Sequence, residues 1–183
     1  AAGGTFEMTG GEITRNTGTT SSGGVKNAGT FEMSGGTIFG NAGTTTGGGA
    51  LNDTAGVMRL SGGSISDNSA TGAGGGIYNK GQLTLAGSGT ISGNQATGTT
   101  TTSGGGGVYS TGATAAVTIS GGEISGNTSA KTGGGIHMAG GTVTLSGGTL
   151  TGNSAKDGGG VYVTGTSTAF HMTAGAISGN EAT

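Results

Sequence analysis

The chain has no cysteine, no proline and no tryptophan, and only 8% of its 183 residues are charged. Without cysteine there are no disulfides and no thiolate metal sites. Glycine is abundant, at 49 residues, but it comes without proline and without a three-residue period, which excludes a collagen helix. Aromatic residues make up 4%, too few to fill a conventional large core. The six Lys and Arg residues are scattered and the net charge is −2, so the clustered positive charge that nucleic acid requires is missing. No apolar run approaches the roughly 18 residues of a membrane span. No apolar leader opens the sequence, which therefore reads as a mature form or a piece of a longer chain. The low charge and a mean hydropathy of −0.07 depart from the composition of disordered chains. A cysteine-free, Thr/Ser/Gly-rich chain suits an extracellular or cell-surface setting.

What the chain does have is a repeat. The motif Ser/Thr-Gly-Gly-x-Ile-x-x-Asn recurs as TGGEITRN, SGGTIFGN, SGGSISDN, AGSGTISGN (one residue longer), SGGEISGN, SGGTLTGN and TAGAISGN. Its asparagines are Asn16, Asn41, Asn68, Asn94, Asn127, Asn153 and Asn180, with successive differences of 25, 27, 26, 33, 26 and 27 between them. The long step is expected to place its surplus in the Thr/Gly run from Thr97 to Gly107. Between the asparagines run GGVKN, GGGALN, GGGIYN, GGGVYS, GGGIHM and GGGVYV. Ahead of each Ser/Thr-Gly-Gly lies a short alternating pair, from Phe6-x-Met8 to Phe170-x-Met172.

Each repeat thus offers three short strand signals punctuated by Gly, Asn and Thr. So much glycine would cost an α-helix about 1 kcal/mol per site. Three strands per repeat, stacked on themselves, predict an all-β fold: a right-handed parallel β-helix of about seven coils, one domain over 1–183. Alternation sends the apolar residues inward in columns, headed by Phe6, Met8, Ile13 and Val25. The asparagines are expected to form an internal ladder at one corner, each taking a left-handed backbone and bonding to the next coil. The chain begins in repeat phase at Ala1-Ala2-Gly3-Gly4 and neither end carries a cap. That favours a piece of a longer solenoid over a subunit that stacks end to end.

Chemistry is sparse. No H-E-x-x-H, G-x-S-x-G or phosphate-loop motif is present, and nothing calls for a cofactor or a metal. His137 and His171 read as exposed variants of the repeat. Glu7 and Glu32 share an outward column with Arg59, an arrangement resembling a glycosidase carboxylate pair, but a solvated face with a Glu32–Arg59 ion pair is the preferred reading. The loops look too short to wall a cleft. Thr84, Thr118 and Thr144 form an outward row of the kind seen in ice-binding proteins, interrupted by Glu7, Glu32, Arg59 and His171. The residue after each GGG[VIA] gives the column Lys26, Leu51, Tyr78, Tyr109, His137, Tyr162. Its aromatic members, Tyr78, Tyr109, His137 and Tyr162, form a possible ligand-facing row for a glycan or a protein. The alternative is stacking of the rings on one another, which would stiffen the sheet.

GGGIYN (Gly74 to Asn79) and ISGN (Ile91 to Asn94) resemble the GGA-I and F-x-x-N repeats of chlamydial polymorphic outer-membrane proteins. They are also similar to ISGN…GGGVY repeats of bacterial surface adhesin-like proteins. Here Ile or Leu stands for Phe, and Gly for Ala. The resemblance spans nearly the whole chain and implies a cell-surface or secreted adhesin-type stalk, but it identifies no receptor. The residues themselves read as non-enzymatic, with a glycan or a host or cell-surface protein as partner for the aromatic row and another copy end to end as partner for the uncapped ends. A filament subunit, a carbohydrate-active β-helix enzyme and an ice-binding protein are the competing readings.

Overall fold

The computed structural model describes residues 3–183; Ala1 and Ala2, where the repeat phase was placed to begin, lie outside the described residues. The protein is all-β, and every pairing between strands is parallel, in three sheets along a solenoid of about seven coils. At the usual strand spacing the rod is about 30 Å long.

Sheet A is built from the long signals. The Phe-x-Met pair and the Ser/Thr-Gly-Gly-x-Ile stretch are one bent strand in most coils, as in Thr5–Thr14, Thr30–Phe39 and Ala116–Ser125, and two short strands of the same sheet at Val57–Leu60 with Ser64–Ser66 and Gln82–Leu85 with Thr90–Ser92. The bend lies at the Gly-Gly, where the register shifts in a bulge and Gly36 adopts φ +84°. A side chain there would meet the backbone of the coil below, so only glycine serves. Sheet C is the GGG strand, three residues per coil, as in Ile77–Asn79 and Val108–Ser110. Sheet B is a short strand just after the ladder asparagine, two residues in most coils, such as Ser69–Ala70 and Gln95–Ala96, and longer at Thr128–Thr132 and Ser154–Asp157. Three strands per coil is therefore right, but they are not the three expected. Two expected strands merge into sheet A, and the third, sheet B, is too short to show an alternation. Its inward column is small: Ala70, Ala96, Ser129 and Ala155 are buried.

The inward columns of sheets A and C form a continuous core in which Phe31, Met58, Leu83 and Val117 succeed one another at 0 to 2% exposure. Phe6, Met172 and Ile177 belong to the same columns but are 46%, 48% and 38% exposed, because each has a coil on one side only.

The asparagine ladder runs the whole rod. The Nδ2 of Asn68 donates to the Oδ1 of Asn94 at 2.9 Å and to the Ile38 carbonyl at 2.9 Å, while Asn68 N donates to Asn94 Oδ1 at 3.0 Å. The pattern starts at Asn16 and Asn41 and continues through Asn127, Asn153 and Asn180. The expected left-handed backbone is not at these asparagines. It belongs to the residue before each: Arg15, Gly40, Asp67, Gly93, Gly126, Gly152 and Gly179, all between φ +52° and +64°. The preceding residue makes the corner, and the asparagine side chain fills the turn's hydrogen-bonding demand. A second ladder, not anticipated, links Asn27, Asn52 and Asn79 at 2.8 Å per step and passes to Ser110.

Candidate functional site

Sheet C carries the aromatic column on its outer side. The rings stack on each other along the rod. Tyr78 and Tyr109 lie 5.0 Å apart at 19°, Tyr109 and His137 4.7 Å apart edge-on, and His137 and Tyr162 5.0 Å apart edge-on. Their faces are thereby used within the ladder. The row is also less open than the sequence suggested. Tyr109 is 5% exposed and His137 1%, whereas Tyr78 and Tyr162 are half-buried and Lys26 is exposed. The reason is geometric. The sheet C strands are only three residues wide, so loops on both flanks stand above them. Burial holds the Tyr78 phenol above its ordinary value, and burial together with neighbouring Tyr78 pushes Tyr109 up to about 12.

His137, expected to be exposed, is instead held in the interior of this row. Its Nδ1 lies 2.7 Å from Thr132 Oγ1, which itself donates to the Ser103 carbonyl at 3.0 Å. The threonine has one proton and gives it to Ser103, so Nδ1–H is the donor and Nε2 keeps a bare lone pair. Nε2 is the one buried side-chain nitrogen or oxygen without a partner among the described residues. Burial pushes His137 down to about 4, against a smaller upward pull from the Ser103 backbone. Gly104, at φ +147°, lies so close to the His137 ring and Thr132 that a β-carbon there would collide with both.

The strand register shows where the long repeat puts its surplus. The separation of Ala96 from its partner Ala70 is 26, but that of Gly104 from its partner Ala73 is 31, so five extra positions lie between them. Ser110 pairs with Asn79 at a separation of 31, but Ala116 with Gln82 at 34, so three more lie there. One position is recovered before Ile124, whose separation from its partner Ile91 is 33. The surplus is therefore divided between two loops, 97–103 and 111–115, not confined to Thr97–Gly107. These loops flank sheet C on opposite sides.

Two cavities result, and Tyr78 lines both. One, of about 380 Å³, is bounded by Thr44–Thr46, Thr71 and, on the long loop, Thr100, Thr102 and Ser103. The other, of about 420 Å³, is bounded by Thr54, Lys80 and the second loop, Thr111 to Thr114. So the loops do wall clefts here. Both walls are braced: Thr100 Oγ1 lies 2.8 Å from Ser103 Oγ, and Gln82 Nε2 donates to the Thr114 carbonyl at 2.9 Å. The Lys80 ammonium lies 5.7 Å from the Tyr78 ring centroid.

A third cavity, of about 290 Å³, lies where sheet A bends and is lined by Glu7, Glu32, Arg59, Thr9, Ser34 and Ser61. Glu7, Glu32 and Arg59 stack in register, and Arg59 Nη1 pairs with Glu32 Oε1 at 3.3 Å with both side chains about half exposed. Thr84, Thr118 and Thr144 follow in the same column, next to His171. Among the described residues, no three His, Asp or Glu side chains gather to hold a metal ion, and no helix is long and apolar enough to cross a membrane.

No protein family, curated protein or solved structure matches this chain. The aromatic column was legible in the sequence, but its partners Ser103, Thr132 and Lys80 were not. Ser103 and Lys80 reach it from loops whose spacing carries no period, and Thr132 from the end of the strand Thr128–Thr132. The second ladder had a visible signal, the terminal Asn of GGVKN, GGGALN and GGGIYN.

Proposed function

We propose that this chain is a non-catalytic structural and adhesive module acting at a cell surface or in the extracellular space. The observation that carries the reading is the rod itself: seven coils tied together by an internal asparagine ladder, with an outer surface rich in Thr and Ser hydroxyls. Such a body spans distance stiffly and presents lateral surface, as repeat solenoids do. The adhesin-like motifs GGGIYN and ISGN support the same reading. The Glu32–Arg59 pair is the chemistry of a solvated face, because both side chains stay about half exposed even where they line the cavity at the bend of sheet A.

Beads coated with the chain and driven by flow over glass carrying glycoprotein or acidic polysaccharide test the adhesive half. Retention well above that of albumin-coated beads is expected, and equal retention would leave only a passive stalk. Incubation with a polysaccharide panel tests the other half, since release of new reducing or unsaturated sugar ends would overturn the non-catalytic reading.

A further inference from the structure

We infer that the saddle around Tyr78 is a binding site for a carboxylate-bearing oligosaccharide, with sugar units in the cavities on either side of the tyrosine and a carboxylate on Lys80. This rests on the adhesive reading and gives it a ligand class.

Three independent observations converge on this spot. The first is the placement of the irregularities. The repeat lengthens by five positions before Gly104 and by three before Ala116, and both insertions wall the cavities beside Tyr78. A third belongs with them. The separation of Val57 from its partner Thr30 is 27, while that of Asn52 from its partner Asn27 is 25, so the loop carrying Thr54 is longer than its predecessor by two. The intervening connection at Lys80–Gly81 is short again, since Gln82 is separated from its partner Val57 by only 25. Long loops thus stand above and below a short one, and Lys80 lies in the gap. A solenoid tolerates an insertion in any loop of any coil. Three insertions around one tyrosine make a built recess.

The second observation is the lining. Apart from Tyr78 and Lys80, the polar side chains around both cavities are Thr and Ser hydroxyls, which both donate and accept. That complements a polyol better than an apolar ligand. The two volumes, about 380 and 420 Å³, fall within the range of small-ligand pockets, about 300–1,000 Å³. Because Tyr109 covers a face of Tyr78, the tyrosine offers its edge and its phenol to a ligand rather than a stacking platform.

The third is the charge. Among the described residues the ion pairs are Lys26–Asp53 and Arg59–Glu32, and Lys80 is in neither. No carboxylate lines either cavity. A lone ammonium beside hydroxyl-lined space selects a ligand that brings both hydroxyls and one negative group.

Titration calorimetry at low salt tests this with three probes: oligogalacturonate, an alginate oligomer and sialyl-lactose. At least one is expected to bind. Full methyl esterification of the bound oligomer, which removes charge and keeps the hydroxyls, should weaken it about tenfold. Lys80→Ala should do the same, whereas Lys80→Arg and the remote charge control Lys156→Ala should leave binding within about twofold. Circular dichroism confirms that each variant is folded. The site is overturned if none of the three binds the wild-type chain, if Lys80→Ala binds as well as wild type, or if poly-glutamate competes as well as the sugar does. The two readings fail separately. Beads that adhere while no acidic sugar binds remove this site and leave adhesion, and sugar binding lost in Lys80→Ala without bead retention removes adhesion and leaves the site.

Discussion

Asn94 shows how much one side chain does inside the rod. It is fully buried, its Nδ2 donates to Asn127 Oδ1 and to the Ile65 carbonyl, and its Oδ1 accepts from both the backbone and the side chain of Asn68. Truncation would leave donors on Asn68 and acceptors at Ile65 and Asn127 short of partners in a dry interior. Unsatisfied buried groups cost about 1–3 kcal/mol each. On that scale Asn94→Ala is expected to lower the unfolding free energy by about 2–4 kcal/mol in a urea titration. Asn180→Ala, at a partly exposed rung where water substitutes, should cost clearly less. Equal losses at the two sites would mean that burial does not set the ladder's worth. The asparagines were readable from their spacing, but the corner conformation was not assigned to the right residue. The preceding glycine carries it, and Arg15 and Asp67 hide the pattern by occupying the same left-handed place.

At the scale of elements, the loop 97–103 and the strand that carries His137 are joined through Thr132 and Ser103. This junction makes the fold sensitive to acid in a defined direction. Unfolded, the imidazole titrates near its ordinary 6.5, and folded it is held down to about 4. Above pH 6.5 both states keep it neutral and the group has no effect. As pH falls from 6.5 towards 4 the unfolded chain takes up a proton that the folded chain refuses, so stability declines through that window and levels off below it. The depression corresponds to about 3 kcal/mol. His137→Phe keeps an aromatic rung and leaves Thr132 bonded to Ser103. The difference in urea midpoint between wild type and this variant should widen as pH drops from about 7 to about 4, in the variant's favour. A pH-independent difference would show that the imidazole is not held neutral. None of this was visible in the sequence, where His137 looked like an exposed variant of the tyrosine column. Strand order and the inward columns follow from period-2 patterns, but sheet B, two residues long in most coils and with a small inward side chain, has no pattern to read. The folding of loops over a three-residue strand is set by tertiary packing, which leaves no periodic trace.

The whole molecule is quasi-one-dimensional: each coil touches the coils above and below, and the three insertions around Tyr78 leave the stacking untouched. Stability should then grow by a near-constant increment per coil. Duplicating Ser69–Asn94 in tandem tests this, because the unit begins just after one ladder asparagine and ends on the next, so both ladders and all three sheets re-enter in register. Every step between ladder asparagines except the one across loop 97–103 would then keep the regular spacing, and the added coil meets the same kind of neighbour on each face. The extended chain is expected to unfold in one transition, with a urea m-value higher by about a seventh, since that slope follows the surface exposed. Small-angle scattering should show a rod longer by about 4.8 Å, one strand spacing. A separate early transition for the new coil, or an unchanged m-value, would show that coupling in this rod is not between nearest neighbours. The duplication also copies Tyr78 and Lys80, yet the copied coil is flanked differently: the long loop 97–103 follows only one of the two copies. The loop carrying Thr54 precedes only the other copy, so neither copy keeps a long loop on both sides. If both walls are needed, doubling the tyrosine and lysine will weaken the binding of acidic oligosaccharide instead of doubling the number bound per chain.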